Sequence, residues 1–128
     1  KINVGAAIAE LDELPEPYIV RGPNLMTAHP VEVAVTSQEI AHCLDKSLAK
    51  IETAVLAVLE QTPPELYADI VQEGIFLTGG GALLRGLDKR LHEKINIPFH
   101  VAEDPLRAVA RGTSIAIKNA DKLPFLMR

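Results

Sequence analysis

The hydrophobic pattern of the chain changes period near residue 36. Before it, β-branched residues and prolines dominate, and residues 1–8, 17–21 and 31–36 each read as a short strand. In the last of these, Val31, Val33 and Val35 alternate with Glu32 and Ala34, the period of two of a half-buried strand. Leu14-Pro15-Glu16-Pro17 and Gly22-Pro23-Asn24 supply the turns. Three such strands predict a small antiparallel sheet, too small to be stable alone and obliged to pack on something else.

After residue 36 the period lengthens. Thr36-Ser37-Gln38-Glu39 is a capping box, with a hydroxyl at the cap and a carboxylate three residues on. Ile40, Cys43 or Leu44, Leu48, Ile51, Val55, Val58 and Leu59 then recur at helical steps, with Asp45, Lys46, Lys50 and Glu52 mostly between them. This predicts a long helix with one core face and one solvent face. Thr62-Pro63-Pro64-Glu65 stops it and starts a second helix with Leu66, Ile70 and Val71 on its apolar side; Gly74 stands where a left-handed C-terminal residue is expected. Residues 74–77 read as a buried strand, Thr78-Gly79-Gly80-Gly81 as a turn, and 82–94 as a helix with Leu84, Leu87 and Leu91 on one face. Asn96-Ile97-Pro98 ends it, 99–101 is a second strand, and Asp104 and Pro105 open a final helix carrying Leu106, Val109, Ala110 and Ile117, with Gly112 permitting close packing. Strand, helix, strand, helix predicts a right-handed parallel βαβ unit. The fold class is α/β within an α+β whole. It divides into a small β subdomain at 1–36 and a helical, βαβ subdomain at 37–128.

Composition narrows the partners. The 128 residues fit one domain or two small subdomains, and 48% hydrophobic content suffices for a core. A formal charge of −4 and no basic run argue against a nucleic-acid partner. Apolar runs are too short to span a bilayer and no leader is evident, so a cytoplasmic location is expected. The lone Cys43 excludes an internal disulfide. A chain starting at Lys1 is expected to be a piece of a longer protein.

The candidate chemistry centres on the glycines. A strand delivered through glycines onto a helix N-terminus is a common seat for phosphorylated ligands, although a bare Gly-Gly-Gly also suits a tight βα turn. No Gly-x-x-x-x-Gly-Lys-Ser/Thr or Gly-x-Gly-x-x-Gly spacing occurs, which excludes the P-loop and Rossmann fingerprints. Other residues read as structural: Cys43 as core; His29, His42, His92 and His100 as too scattered for a metal; Glu103 and Asp104 as a helix-start charge preference. Arg85, Lys89, Arg90 and Lys94 read as a solvated basic side, and Ser37, Thr78 and Ser114 lack a nearby base.

Longer strings are more specific. Thr62-Pro63-Pro64-Glu65-Leu66, Asp69-Ile70, the run from Gly74 through Thr78-Gly79-Gly80-Gly81-Ala82-Leu83-Leu84-Arg85-Gly86-Leu87, and Val101-Ala102-Glu103-Asp104-Pro105-Leu106 with Val109-Ala110 and Gly112-Thr113 closely resemble bacterial actin homologues of the rod-shape-determining MreB family. The match covers residues 36–117. Lys1-Ile2-Asn3-Val4-Gly5 is similar to that family's Lys-Ile-x-Ile-Gly segment, whereas 6–30 match more weakly and Gly112-Thr113-Ser114 departs from its commoner Gly-Thr-Gly.

The resemblance implies part of the second lobe of an actin-like ATPase, with 1–36 its outer and 37–128 its inner subdomain. Gly79, Gly80, Gly81 and Ala82 would lie against ribose and the adjoining phosphate, and Lys1 beside adenine. The family's two phosphate loops and metal-binding aspartate have no counterpart in these 128 residues. ATP with Mg is therefore expected in the intact protein, none bound to this segment, and no catalytic residue or metal ligand is assigned here. The implied function is ATP-regulated polymerisation into membrane-associated filaments that guide cell-wall synthesis and set rod shape. The implied partners are further copies and membrane proteins of the elongation machinery, with membrane contact made outside this stretch. A cell-division actin homologue, or a chaperone- or sugar-kinase-type lobe, would share the glycine turn, and a nucleotide-independent scaffold is a further alternative. The Thr-Pro-Pro-Glu and Glu-Asp-Pro-Leu strings favour the rod-shape family.

Overall fold

Thr36 and Glu39 open the longest element of the computed structural model, which describes residues 3–119. The Thr36 hydroxyl accepts from the Glu39 N–H at 3.2 Å, and the Glu39 carboxylate accepts from the Thr36 N–H at 2.9 Å, so the expected capping box is present. Helix α1 (Ser37–Glu60) follows. Its inward register is Ser37, Ala41, Leu44, Leu48, Glu52, Val55 and Leu59, at steps of three and four. Cys43, Ile51 and Val58, expected in the core, are exposed instead, and Glu52, expected outside, is buried. The apolar arc of α1 is wider than the core it meets, and the covered half is offset from its centre.

We expect Thr36→Ala to lower stability by about 1 kcal/mol in urea unfolding, the usual worth of a hydroxyl cap. Glu39 adds a pH signature. Hydrogen bonds from the Thr36 backbone N–H, then its hydroxyl, hold the carboxyl below its ordinary 4.5. A depressed folded value means that its contribution is complete above the unfolded value and is lost as pH falls through the folded one. A stability difference between wild type and Glu39→Gln that stayed constant on acidification would contradict this.

Before α1, strands β1 (Tyr18–Pro23) and β2 (Pro30–Val35) pair antiparallel from Tyr18↔Val35 to Pro23↔Pro30. Of the third expected strand, at 1–8, the described residues 3–8 form turn and bend, with one parallel bridge between Ala6 and Arg85. The reason is packing. Val4, Gly5, Ala6 and Ala7 are buried, and Ala7 belongs to the main core beside α1 and the helix after the glycine turn. The hairpin lacks that cover, and almost all its residues are exposed.

Past α1, Pro64 begins α2 (Pro64–Glu73), which ends at Gly74. Strand β3 (Ile75–Leu77) pairs parallel with β4 (Phe99–Val101), joined through a one-turn 3-10 helix (Gly80–Leu83) and α3 (Leu87–Ile95). The expected parallel βαβ unit is therefore present, in a mixed α/β chain. Its core gathers Leu48, Leu59, Leu87, Leu91, Ile95, Ile97 and Phe99. The final helix, α4 (Ala108–Lys118), starts later than expected: Asp104 and Pro105 instead make a turn closed by the Arg107 N–H on the Asp104 carbonyl at 3.1 Å. No α4 residue is buried, and a Cβ at Gly112 would meet nothing within 4 Å, so the close packing expected there is not found.

Candidate functional site

Two glycines bracket β3 in the same unusual conformation: Gly74 has φ 81° and ψ −179°, and Gly79 has φ 80° and ψ 179°. Positive φ with extended ψ is open essentially to glycine alone. Gly74 is thus not left-handed helical, as expected from its position, but extended, which sends the chain straight into the strand. At the far end the Gly79 N–H donates to the Pro105 carbonyl at 2.7 Å, tying the glycine turn to the turn after β4.

From there the loop makes one 3-10 turn. The Ala82 N–H donates to the Gly79 carbonyl at 3.3 Å, and the Leu84 N–H to that of Gly81 at 3.1 Å. Ala82 is buried. Leu84 is extended, Gly86 is left-handed at φ 73°, and only then does α3 begin at Leu87. The glycines therefore do not run onto an α-helix N-terminus, contrary to the expected helix from 82. The left-handed turn at Gly86 separates the two, and Ile8 requires that this residue be glycine: a Cβ there would lie 2.6 Å from Ile8 Cγ1.

Gly80 and Gly81 differ from their neighbours. Neither has positive φ; a Cβ at Gly80 would meet only Leu106 Cδ2, at 3.6 Å, and one at Gly81 nothing within 4 Å. The fold has room for a methyl group at both. Glycine there leaves open space over the backbone.

The structure also brings residues 3–8 to the exit of this loop, which the sequence reading did not foresee. The Ala7 N–H donates to the Arg85 carbonyl at 2.8 Å, and Arg85 Nη1 donates to the Asn3 carbonyl at 2.6 Å. Lys1, assigned to adenine by resemblance, lies outside the described residues. Arg90, expected on a solvated basic face, is instead nearly enclosed and ion-paired with Glu52 and Asp45; Lys89 pairs with Asp12. The seven-position inward register of α1 contained the missing signal, since Glu52 falls within it. A groove of about 450 Å³ lined by Ala7, Gln38, His42, Asp45 and Arg90 lies on this side of the molecule and includes none of Gly79–Ala82.

The family model described as MreB/Mbl protein matches residues 1–124. The cell shape-determining protein Mbl of Bacillus cereus is 44% identical over 97% of this chain and 37% of its own length. The cell shape-determining protein MreB of Escherichia coli K12 is 50% identical over 80% of this chain and 29% of its own. The match thus spans only 29–37% of these relatives' length. Among solved structures, MreB5 of Spiroplasma citri bound to ADP superposes with a TM-score of 0.84 at 33% identity, over 94% of this chain and 36% of that one. The same protein bound to AMPPNP gives 0.82 at 32%, over 98% and 37%.

Proposed function

The chain belongs to the MreB/Mbl family, and from that premise we propose that it is part of an actin-like protein that binds ATP, polymerises, and governs cell shape by guiding cell-wall synthesis. Within that protein the stretch contributes one wall of the nucleotide site. Gly79, Gly80, Gly81 and Ala82 lie against ribose and the adjoining phosphate, and Lys1 against adenine. The boundary near residue 36 separates an outer part, the hairpin, from an inner one, to whose core Val4–Ala7 return. Solved relatives carrying ADP and AMPPNP support an adenine nucleotide as ligand.

The observation that carries this reading is the unfilled space at Gly80 and Gly81. Gly79 is explained by its backbone angles, whereas 80 and 81 are not needed by the fold, and a ligand approaching the main chain accounts for them. An Mg ion accompanies ATP on this reading, and among the described residues no three His, Cys, Asp or Glu side chains gather. Its ligands, and the groups that place water against the γ-phosphate, belong on this reading to the rest of the intact protein, so the segment alone turns over no ATP. Further copies of the protein and membrane proteins of the elongation machinery are its partners, in the cytoplasm at the membrane. Among the described residues no helix is long and apolar enough to cross a membrane, and anchoring is assigned to regions outside this stretch.

Titration calorimetry of the full-length protein tests the site. Gly80→Ala and Gly81→Ala are expected to weaken ATP binding about tenfold or more, the effect of a misplaced methyl in a close contact, with thermal unfolding unchanged. Wild-type affinity in both variants would remove the loop from the site. Absence of ATP binding by the wild-type protein would favour the nucleotide-independent scaffold.

A further inference from the structure

We propose that Arg90 is a positioning residue for the nucleotide wall, holding residues 3–8 against the exit of the glycine loop and linking them to α1. The proposal rests on the functional reading above. Arg90 projects from α3 with only 12% of its side chain exposed, and its guanidinium reaches three ways. Nε meets Glu52 Oε1 at 2.5 Å, Nη2 meets Asp45 Oδ1 at 2.8 Å, and Nη1 donates to the Ala7 carbonyl at 3.1 Å. Burial opposes the charge, but the Glu52 and Asp45 carboxylates outweigh it and hold the guanidinium above its ordinary value.

Stability alone is a poor reason for such a cluster. A buried ion pair is seldom better than two apolar side chains of similar volume, because both charges must be stripped of water. The Ala7 carbonyl is the contact that no apolar residue replaces. Arginine suits it because a rigid planar fork satisfies three directions at once, which a lysine ammonium on a flexible stem does not.

From Ala7 the connection continues. Its N–H is held by the Arg85 carbonyl, and the Arg85 side chain holds the Asn3 carbonyl. Arg85 stands four residues beyond Gly81, at the loop's exit. Residues 3–8 are thus held against that exit by Arg85 and Arg90 together, and through Arg90 the contact is referred to Glu52 and Asp45 on α1.

The test separates positioning from stability in the full-length protein. Arg90→Met alone strands Glu52 without a partner and is expected to unfold readily, so the informative variant is Glu52→Met with Arg90→Met, which removes both buried charges. Its urea midpoint is expected to stay near wild type. Hydrogen exchange at the Ala7 amide should nonetheless accelerate about tenfold or more relative to the Leu48 amide, and the dissociation constant for ATP should rise by a similar factor, the loss of one hydrogen bond from a charged donor. Arg90→Lys should fall between, and it carries the same comparison if the double variant does not fold. Wild-type Ala7 exchange, or wild-type ATP affinity, in the double variant overturns the proposal. If the wild-type protein binds no ATP, the functional reading fails and the positioning role with it, while fast Ala7 exchange in the double variant would still identify a clamp serving the fold alone.

Discussion

Replacing Gly74 with alanine is expected to destabilise the chain by about 3 kcal/mol or more, a large part of the roughly 5–15 kcal/mol that holds a typical domain folded. Two effects add. The φ of 81° with extended ψ disfavours any side chain by about 1–3 kcal/mol. The new Cβ would also lie 2.8 Å from both the Pro98 carbonyl oxygen and His100 Nε2. The first of these is backbone and accepts the Ile75 N–H at 2.8 Å, so relief of the contact must loosen the pairing of β3 with β4. Urea unfolding measures the loss; a change within about 0.5 kcal/mol, the range of an ordinary surface substitution, would show that the loop before β4 yields freely.

The second large effect is expected at Ile97, where truncation to alanine should cost about 2–5 kcal/mol. This side chain is 1% exposed and lies between α3 and β4 within the main core. The backbone around it has little freedom to close a cavity. Asn96 caps α3 in the left-handed conformation at φ 59°, and the Ile97 carbonyl is held by His92 Nδ1 at 2.9 Å. Partial collapse is therefore small, and the cost should fall in the upper half of the range. Ile97→Val, which removes one methylene, should cost about 0.5–1.5 kcal/mol. Equal effects from the two substitutions would mean that the void is filled by rearrangement.

Local chemistry explains how much of this was readable beforehand. The capping box at Thr36, the Pro63–Pro64 break and the helix end at Asn96 depend on neighbours a few residues apart, and the parallel β3–β4 pair on the order of the elements that join it; all are present. What the residues did not disclose depends on contacts across the chain. Residues 3–8 have the composition of a strand, yet Ala6 and Ala7 are small enough to pass beside Arg85 within the core, and burial there overrides strand pairing. The helix expected from Ala82 is interrupted by the extended Leu84 and the left-handed Gly86, and at Gly86 Ile8, more than seventy residues earlier, occupies the space a side chain would need. Arg90 looked solvated because its partners Glu52 and Asp45 lie on another helix. In the candidate site, the glycine run was legible from its pattern and its resemblance, whereas the difference between Gly79, fixed by backbone angles, and Gly80 and Gly81, which are not, required the backbone itself.

The hairpin of β1 and β2, wet on both faces, divides the molecule energetically. A two-stranded ribbon of this kind is marginal by itself in water, and its cohesion comes from its own turn and cross-strand pairs, including Arg21 with Glu32 at 2.7 Å. The turn is well made: Asn24 Oδ1 accepts from the Met26 N–H at 2.8 Å and the Thr27 N–H at 3.2 Å. Opening this arm therefore exposes little apolar surface that was not exposed already, and it can melt and re-form without drawing on the core of α1, α3 and β4. The chain is therefore expected to show two melting scales rather than one, with a single midpoint recorded on the whole reporting the inner part after the arm has changed state.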